Sequence, residues 1–433
     1  MTARTELSRV VGVPGAVFMG LGSILGTGIF VSIGIAAGIA GSAVLIAITI
    51  AAFVAMCNAL SSAQLAASHP VSGGTYEYGY RYLRPAFGFT AGWMFLCAKS
   101  ASAATAALGF AGYLLYAFGW SADLLVPVAV ATTIVTTTIV LSGMRQSNVT
   151  NIAIVSVTIF ALLIFVVAGL PSVREFGTAN LSPLFGAGAS DYGPLHGLLY
   201  ASALMFVAYT GYGRIATLGE EVREPRRSIP RAIVVTLVAS AVLYIAVGFV
   251  AIGAVGSLEL ARATEGEAAP LEVVARGFAL PGVQWVVALG AMTAMVGVLL
   301  NLILGLSRVL LAMGRRRDMP VAVARLDASH AQPYVAVCVV GLAVAGLAAI
   351  GSVETTWTFS AFTVLIYYAI TNLAALRLAE EDRLYLRVFS WCGLGACLFL
   401  AFWVEWHVWA VGLGIIAVGL VWHLARRGMA RAS

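Results

Sequence analysis

Along its 433 residues the chain repeatedly runs for about 18 or more apolar positions with scarcely a charge, a length that matches the hydrocarbon thickness of a bilayer. Such runs lie near 13–40, 42–67, 86–118, 123–142, 150–170 and 196–218, then near 230–253, 283–313, 334–351, 354–376, 386–404 and 406–425. In lipid a backbone must bond to itself, so each run is expected to be a helix. The expected fold class is an all-α integral membrane protein of about twelve transmembrane helices, with both termini on the same side. Composition agrees, because apolar residues make up 61% of the chain and charged residues only 10%, a balance unsuited to a soluble globule.

The basic residues orient these helices. With the amino terminus inside, the inner segments hold nineteen arginines and the outer ones only Arg174, Arg262 and Arg276. This is a positive-inside pattern and predicts cytoplasmic termini in a cell membrane. The same scatter explains the net charge of +6 without nucleic acid as a partner. The inner stretch His69–Pro85 carries Tyr76, Tyr78, Tyr80 and Tyr82, which suit an interfacial aromatic belt. The outer connections 171–195 and 254–282 are long enough to hold short helices over a vestibule.

Glycine clusters at mid-membrane are expected only where helices approach closely or where a helix unwinds against protein or water. Gly20, Gly22, Gly26 and Gly28 crowd the first helix, and Tyr209-Thr210-Gly211-Tyr212-Gly213 interrupts the sixth. Close packing explains Gly34 with Gly38 and remains open for either cluster taken alone. Together, each with a hydroxyl residue between its glycines, they favour discontinuous helices in matching positions of two halves, the usual signature of a transporter site. Freed amides then offer an anion site and freed carbonyls a cation site nearby, a pair that suits an amino acid's carboxylate and ammonium.

Gly26-Thr27-Gly28-Ile29-Phe30 resembles the first-helix motif of the amino acid-polyamine-organocation transporters. Pro70-Val71-Ser72-Gly73-Gly74-Thr75-Tyr76, the run Tyr209–Ile233, and Ser307–Met313 with Pro320 are similar to further family signatures, so the resemblance covers nearly the whole chain. It implies a five-plus-five inverted repeat, with residues 13–170 and 196–376 as the two halves and two appended helices at 386–425, all in one transporter domain 1–433. By that similarity Gly26, Thr27 and Gly28 hold the substrate carboxylate and carbonyls around Tyr209, Thr210 and Gly211 its amino group, with Ser23 and Tyr212 also among the expected substrate-binding residues.

The resemblance also frames the question of coupling. Some family members place a lysine in helix five, and the matching position here is Thr158. Helix eight reads Met295-Val296-Gly297-Val298, poor in the oxygens a sodium ion needs. No acidic residue lies mid-span. Lys99, the sole lysine, sits halfway along helix three, either as a coupling charge facing a cavity or as a static, snorkelling residue. Arg214 would select an anionic group or, the favoured reading, pair with Glu220, Glu221 or Glu77 in an inner gate. Trp357, Phe359 and Phe362 of helix ten are candidate pocket aromatics, whereas the five histidines read as interfacial surface residues.

Motifs of hydrolases, kinases and zinc enzymes are absent from the sequence, and the five cysteines show no ligand spacing, so neither an enzyme, a metal site nor a cofactor is expected. The expected function is secondary active transport of an amino acid by alternating access. Helices one and six would rock against helices three, four, eight and nine, with uptake coupled to protons. An amino acid or polyamine exchanger and a non-transporting nutrient sensor are the alternatives.

Overall fold

The computed structural model describes residues 12–69, 73–143, 148–185, 192–216, 222–326 and 333–432. The first apolar run folds as three pieces: α1 (Val13–Ile24), α2 (Thr27–Phe30) and α3 (Ser32–Ala40). They are followed by α4 (Val44–Ser68), α5 (Thr75–Tyr82), α6 (Pro85–Phe118), α7 (Leu125–Leu141) and α8 (Asn148–Asn180). Next come α9 (Pro194–Tyr209), α10 (Gly213–Ala216), α11 (Pro225–Val255), α12 (Ser257–Glu267), α13 (Pro270–Arg276) and α14 (Val283–Arg315). The chain ends with α15 (Tyr334–Ala348), α16 (Val353–Ala375), α17 (Arg387–Ala401) and α18 (Trp406–Ala432). Proline opens α1, α6, α9, α11 and α13 within their first turn, where its missing N–H costs nothing.

Every apolar segment of the sequence falls on helix, and among the described residues eight stretches are long and apolar enough to cross a membrane. One of these, Ser32–Ser68, is 37 residues long. Unbroken, it would measure about 55 Å, far beyond the hydrocarbon thickness. A 3-10 turn at Gly41–Ala43 divides it, and Gly41 takes a φ of 61° that suits glycine. Helix α8 continues past Pro171 to Asn180, ten residues beyond the expected span.

Helices α6 and α16 form the interior, mostly buried and packed on each other. Helices α7, α8 and α18 face outward with exposed Ile134, Val135, Phe160, Val167, Val418 and Val421, a surface suited to lipid. Inside, where lipid supplies no drive for helix association, polar contacts fix neighbours. Asn372 Nδ2 of α16 donates to Asn58 Oδ1 of α4, the Cys397 thiol of α17 lies 3.3 Å from that same oxygen, and Ser61 of α4 meets Ser390 of α17 at 2.8 Å.

Two expectations about charged and aromatic groups are corrected by the structure. Tyr76 and Tyr78 are buried rather than lying in a belt, because α5 folds back against α6 and α16. The Tyr76 and Tyr80 hydroxyls each donate to Asp318 Oδ2 at 2.7 Å. Burial, then that carboxylate, raises both phenols above their ordinary range and keeps them donors. His423, expected at the surface, is 1% exposed, with Nδ1 3.2 Å from Asp318 Oδ1. Trp422 Nε1 donates to the Asp318 carbonyl at 2.9 Å, so one aspartate ties α5 to the loop after α14 and to α18.

At the opposite end the connection 254–282 does hold two short helices, α12 and α13. Tyr113 of α6 anchors them: its hydroxyl donates to the Phe30 carbonyl at 2.8 Å and accepts from the Leu271 amide at 3.3 Å. Beside it Glu272 is fully buried, and its nearest cation is Arg276, 3.5 Å away and shared with the Tyr116 carbonyl. The contact is an ion pair without hydrogen-bond geometry.

These contacts generate two expectations. Asn372→Leu removes an interhelical bond of about 1 kcal/mol, and should lower the thermal midpoint of the detergent-purified protein by a few degrees; an unchanged midpoint would show the bond to be idle. Burial pushes the Glu272 carboxyl up to about 7, outweighing the opposing pull of Arg276. Its folded pKa is raised, so its proton stabilises the fold below about pH 4.5, and that stability is lost as pH rises through 7. Compared with Glu272→Gln, the native protein should therefore lose thermal midpoint progressively between pH 5 and about 8, and parallel curves would refute this.

Candidate functional site

Both glycine clusters are breaks in helix. Helix α1 stops at Ile24, Leu25 turns extended with φ −77° and ψ 98°, and α2 restarts at Thr27. The Gly26 carbonyl accepts the Ile29 and Phe30 amides, so the Thr27 and Gly28 amides precede the first closed turn. Helix α9 ends at Tyr209 and tightens into a 3-10 turn, Thr210–Tyr212, before α10. The two breaks touch. A Cβ on Gly211 would fall 2.2 Å from the Ser23 carbonyl, and one on Gly28 would fall 2.7 Å from the Ala208 Cβ. Glycine is needed at both positions for the backbones to approach.

Freed carbonyls at the breaks are held by side chains from neighbouring helices. The Tyr244 hydroxyl of α11 lies 2.8 Å from the Ile24 carbonyl and 3.2 Å from that of Ala208. Its single proton serves one carbonyl at a time, leaving the other to accept a further donor. Tyr368 of α16 donates to the Thr210 carbonyl at 3.2 Å, and within α9, ahead of the break, the Leu204 carbonyl also accepts Trp357 Nε1 at 3.0 Å.

The breaks enclose a cavity of about 40 Å³ lined by Ser23, Ile24, Thr27, Gly28, Lys99, Ser102, Val207, Ala208, Thr210, Gly211, Val298, Leu302 and Trp357. It shares Ser23, Lys99, Thr210, Gly211, Val298 and Leu302 with a wider cavity of about 790 Å³ that reaches α5 and the arginine-bearing end of α14. Lys99 is 9% exposed, and its Nζ donates to Thr210 Oγ1 at 2.7 Å. Thr210 Oγ1 in turn donates to the Val207 carbonyl at 2.7 Å. Thr27 Oγ1 is buried and has no hydrogen-bond partner among the described residues. Ser102 pairs with Ser360 at 2.7 Å.

The residues singled out in the sequence are thus brought together in part. Ser23, Thr27, Gly28, Lys99, Thr210 and Gly211 meet at the cavity wall. Gly26 packs behind it, where a Cβ would meet Val298 at 2.7 Å. The Tyr209 ring turns to Tyr244, and Tyr212 stacks against Tyr368. Thr158 is buried and donates to the Ile154 carbonyl within its own helix. Arg214 lines the wider cavity, but Glu77 is paired with Arg316, and Glu220 and Glu221 lie outside the described residues. Of the helix-ten aromatics Trp357 lines the narrow cavity, whereas Phe362 packs on Phe402. Ser102 and Leu302 were missed; Ser102 lies three positions from Lys99 in the sequence, on the same helical face.

Comparison with known proteins supplies the family. The profile of the family described as amino acid permease matches residues 15–431. The chain is similar to an uncharacterized transporter of Mycobacterium tuberculosis, 40% identical over 98% of this chain and 93% of that one. It is similar also to a branched-chain amino acid permease of Bacillus subtilis, 25% identical over 96% of this chain and 92% of that one. A cationic amino acid transporter of Arabidopsis thaliana is 26% identical over 73% of this chain and 53% of its own length. A profile match across almost the entire chain, over a multi-helix membrane protein with two broken helices facing one cavity, places this chain in the amino acid permease family.

Proposed function

We propose that the protein carries an amino acid across the cell membrane by alternating access, binding it where the α1/α2 and α9/α10 breaks face each other. The observation that carries this reading is the convergence of Ser23, Thr27, Gly28, Thr210 and Gly211 on one cavity. The Thr27 and Gly28 amides and the unpartnered Thr27 hydroxyl receive the substrate carboxylate. Whichever of the Ile24 and Ala208 carbonyls Tyr244 leaves open receives the ammonium.

In this reading the helices make twelve crossings, with 13–170 and 196–376 as inverted halves and 386–425 appended. The arginine-bearing end is cytoplasmic, as are both termini. The wide cavity reaches that end, whereas Tyr113 ties α2 and α13 together at the other, so the conformation corresponds to an inward-facing state. Transport then requires α1, α2, α9 and α10 to move relative to the bundle of α6, α7, α14 and α15, releasing the Tyr113 contacts as the inner cavity closes. Proton-driven uptake is the first reading for coupling and obligate exchange the second.

Purified protein in liposomes should take up at least one labelled amino acid saturably, and internal unlabelled substrate should accelerate entry. An inward proton gradient should drive accumulation above equilibrium; counterflow without accumulation would assign exchange, and no amino acid flux at all would overturn the carrier reading. Thr27→Ala should raise the half-saturating concentration about tenfold, the loss of one hydrogen bond of about 1.4 kcal/mol. The thermal midpoint should barely change, because Thr27 Oγ1 has no bond to lose.

A further inference from the structure

The proposed site contains a charge that an amino acid's backbone groups leave unanswered. Lys99 lies on α6, one of the two most buried long helices, and among the described residues its ammonium bonds only the Thr210 hydroxyl. That hydroxyl spends its own proton on the Val207 carbonyl, so it meets Lys99 as an acceptor. An ammonium has three donors, and two remain for the cavity that Lys99 lines. Among the described residues no carboxylate stands within ion-pair distance of it.

The approach to the cavity has the same sign. The described charged residues along the wider cavity are Glu77, Lys99, Arg214, Arg308, Arg315 and Arg316, one acid against five bases. Glu77 is already paired with Arg316. A buried cation left without a counter-charge costs several kcal/mol unless an anion or water answers it.

We propose that Lys99 is a substrate-binding residue that pairs with a second negative group, and that the carried solute is an acidic amino acid. The inference rests on the carrier reading above and adds its substrate class. The α-carboxylate takes the Thr27 and Gly28 amides and the Thr27 hydroxyl at one pole, and the side-chain carboxylate takes Lys99, with Ser102 beside it, at the other. Val207, Val298, Leu302 and Trp357 enclose the short apolar stem between them. A lysine or arginine substrate would bring its side-chain cation toward Lys99 and is excluded by like-charge repulsion. A leucine-like substrate would bury the Lys99 ammonium with no counter-charge.

The test uses the full chain in liposomes with labelled glutamate, aspartate, glutamine, leucine and lysine. Glutamate or aspartate should enter at least tenfold faster than leucine or lysine at equal low concentration. Lys99→Gln should lower the acidic-to-glutamine uptake ratio at least tenfold, while Lys99→Arg keeps the preference. On purified protein, millimolar glutamate or aspartate should raise the thermal midpoint of the native chain and not of Lys99→Gln. If leucine or lysine is carried saturably in preference to the acids, the substrate class is overturned while the carrier reading stands, whatever the variants do. If no member of the panel moves or shifts the midpoint, this inference falls, and the carrier reading falls with it only when the remaining amino acids are silent too.

Discussion

The architecture depends on how the backbone of two interrupted helices is satisfied away from water. Each break frees carbonyls and amides that would cost several kcal/mol apiece in lipid. The protein answers by surrounding the breaks with side chains from other helices: Tyr244 from α11, Tyr368 and Trp357 from α16, and Lys99 with Thr210 across the middle. This requirement explains why α6 and α16 are buried along most of their length and carry hydroxyl and aromatic donors toward the breaks. It also explains why α2 and the Thr210–Tyr212 turn remain ordered although each is too short to persist alone.

The two ends of the molecule are organised by different chemistry. At the arginine-bearing end, Asp318 gathers Tyr76, Tyr80 and His423, and the Arg316 guanidinium lies 4.5 Å from the Tyr80 ring centre while pairing with Glu77. These charge-assisted bonds hold α5 beside the cavity mouth without filling it. At the other end Tyr113 joins Phe30 to Leu271 through one hydroxyl, a small contact that a modest displacement of α2 would break. In the alternating-access reading proposed above, the end with few directional bonds to α2 would be the one that opens at little cost, whereas the Asp318 cluster ties elements that could stay together.

Much of this was legible in the sequence because lipid imposes a simple rule: a long apolar run is a helix, and glycines in the middle of one need a reason. The runs and both breaks follow from it, whereas the short helices of 254–282 follow from the length of that connection and the meeting of Thr27, Gly28, Thr210 and Gly211 from the family resemblance. What escaped depends on the angular placement of residues around buried helices, for which hydrophobic periodicity carries no signal when every face is apolar. Helix α6 illustrates the limit, since Lys99 and Ser102 face the cavity while Trp93 reaches the Ile415 carbonyl of α18, on a helix whose buried residues go all round. The tyrosines of α5 were misplaced for a related reason. Tyr76 and Tyr80 look interfacial by composition, but a carboxylate 238 or more residues away in the chain supplies the partner that makes their burial possible.

Placing a cation at the meeting point of two broken helices also bears on how binding and movement are linked. Lys99 belongs to α6, in the bundle proposed to stay still, while Thr210 belongs to the turn proposed to move with α9 and α10. In that reading their bond crosses the boundary along which the two parts would slide. An anionic substrate that pairs with Lys99 while holding Thr27 replaces a single direct bond with a bridge, and it neutralises a charge that closure would otherwise strip of water. A ligand shifts a conformational equilibrium only by its differential affinity for the two states. A counter-charge for Lys99 gains most in the closed, dehydrated state, where the local dielectric is lowest. Substrate charge would then favour closure itself, which separates a loaded carrier that turns over from an empty one that stays open to one side.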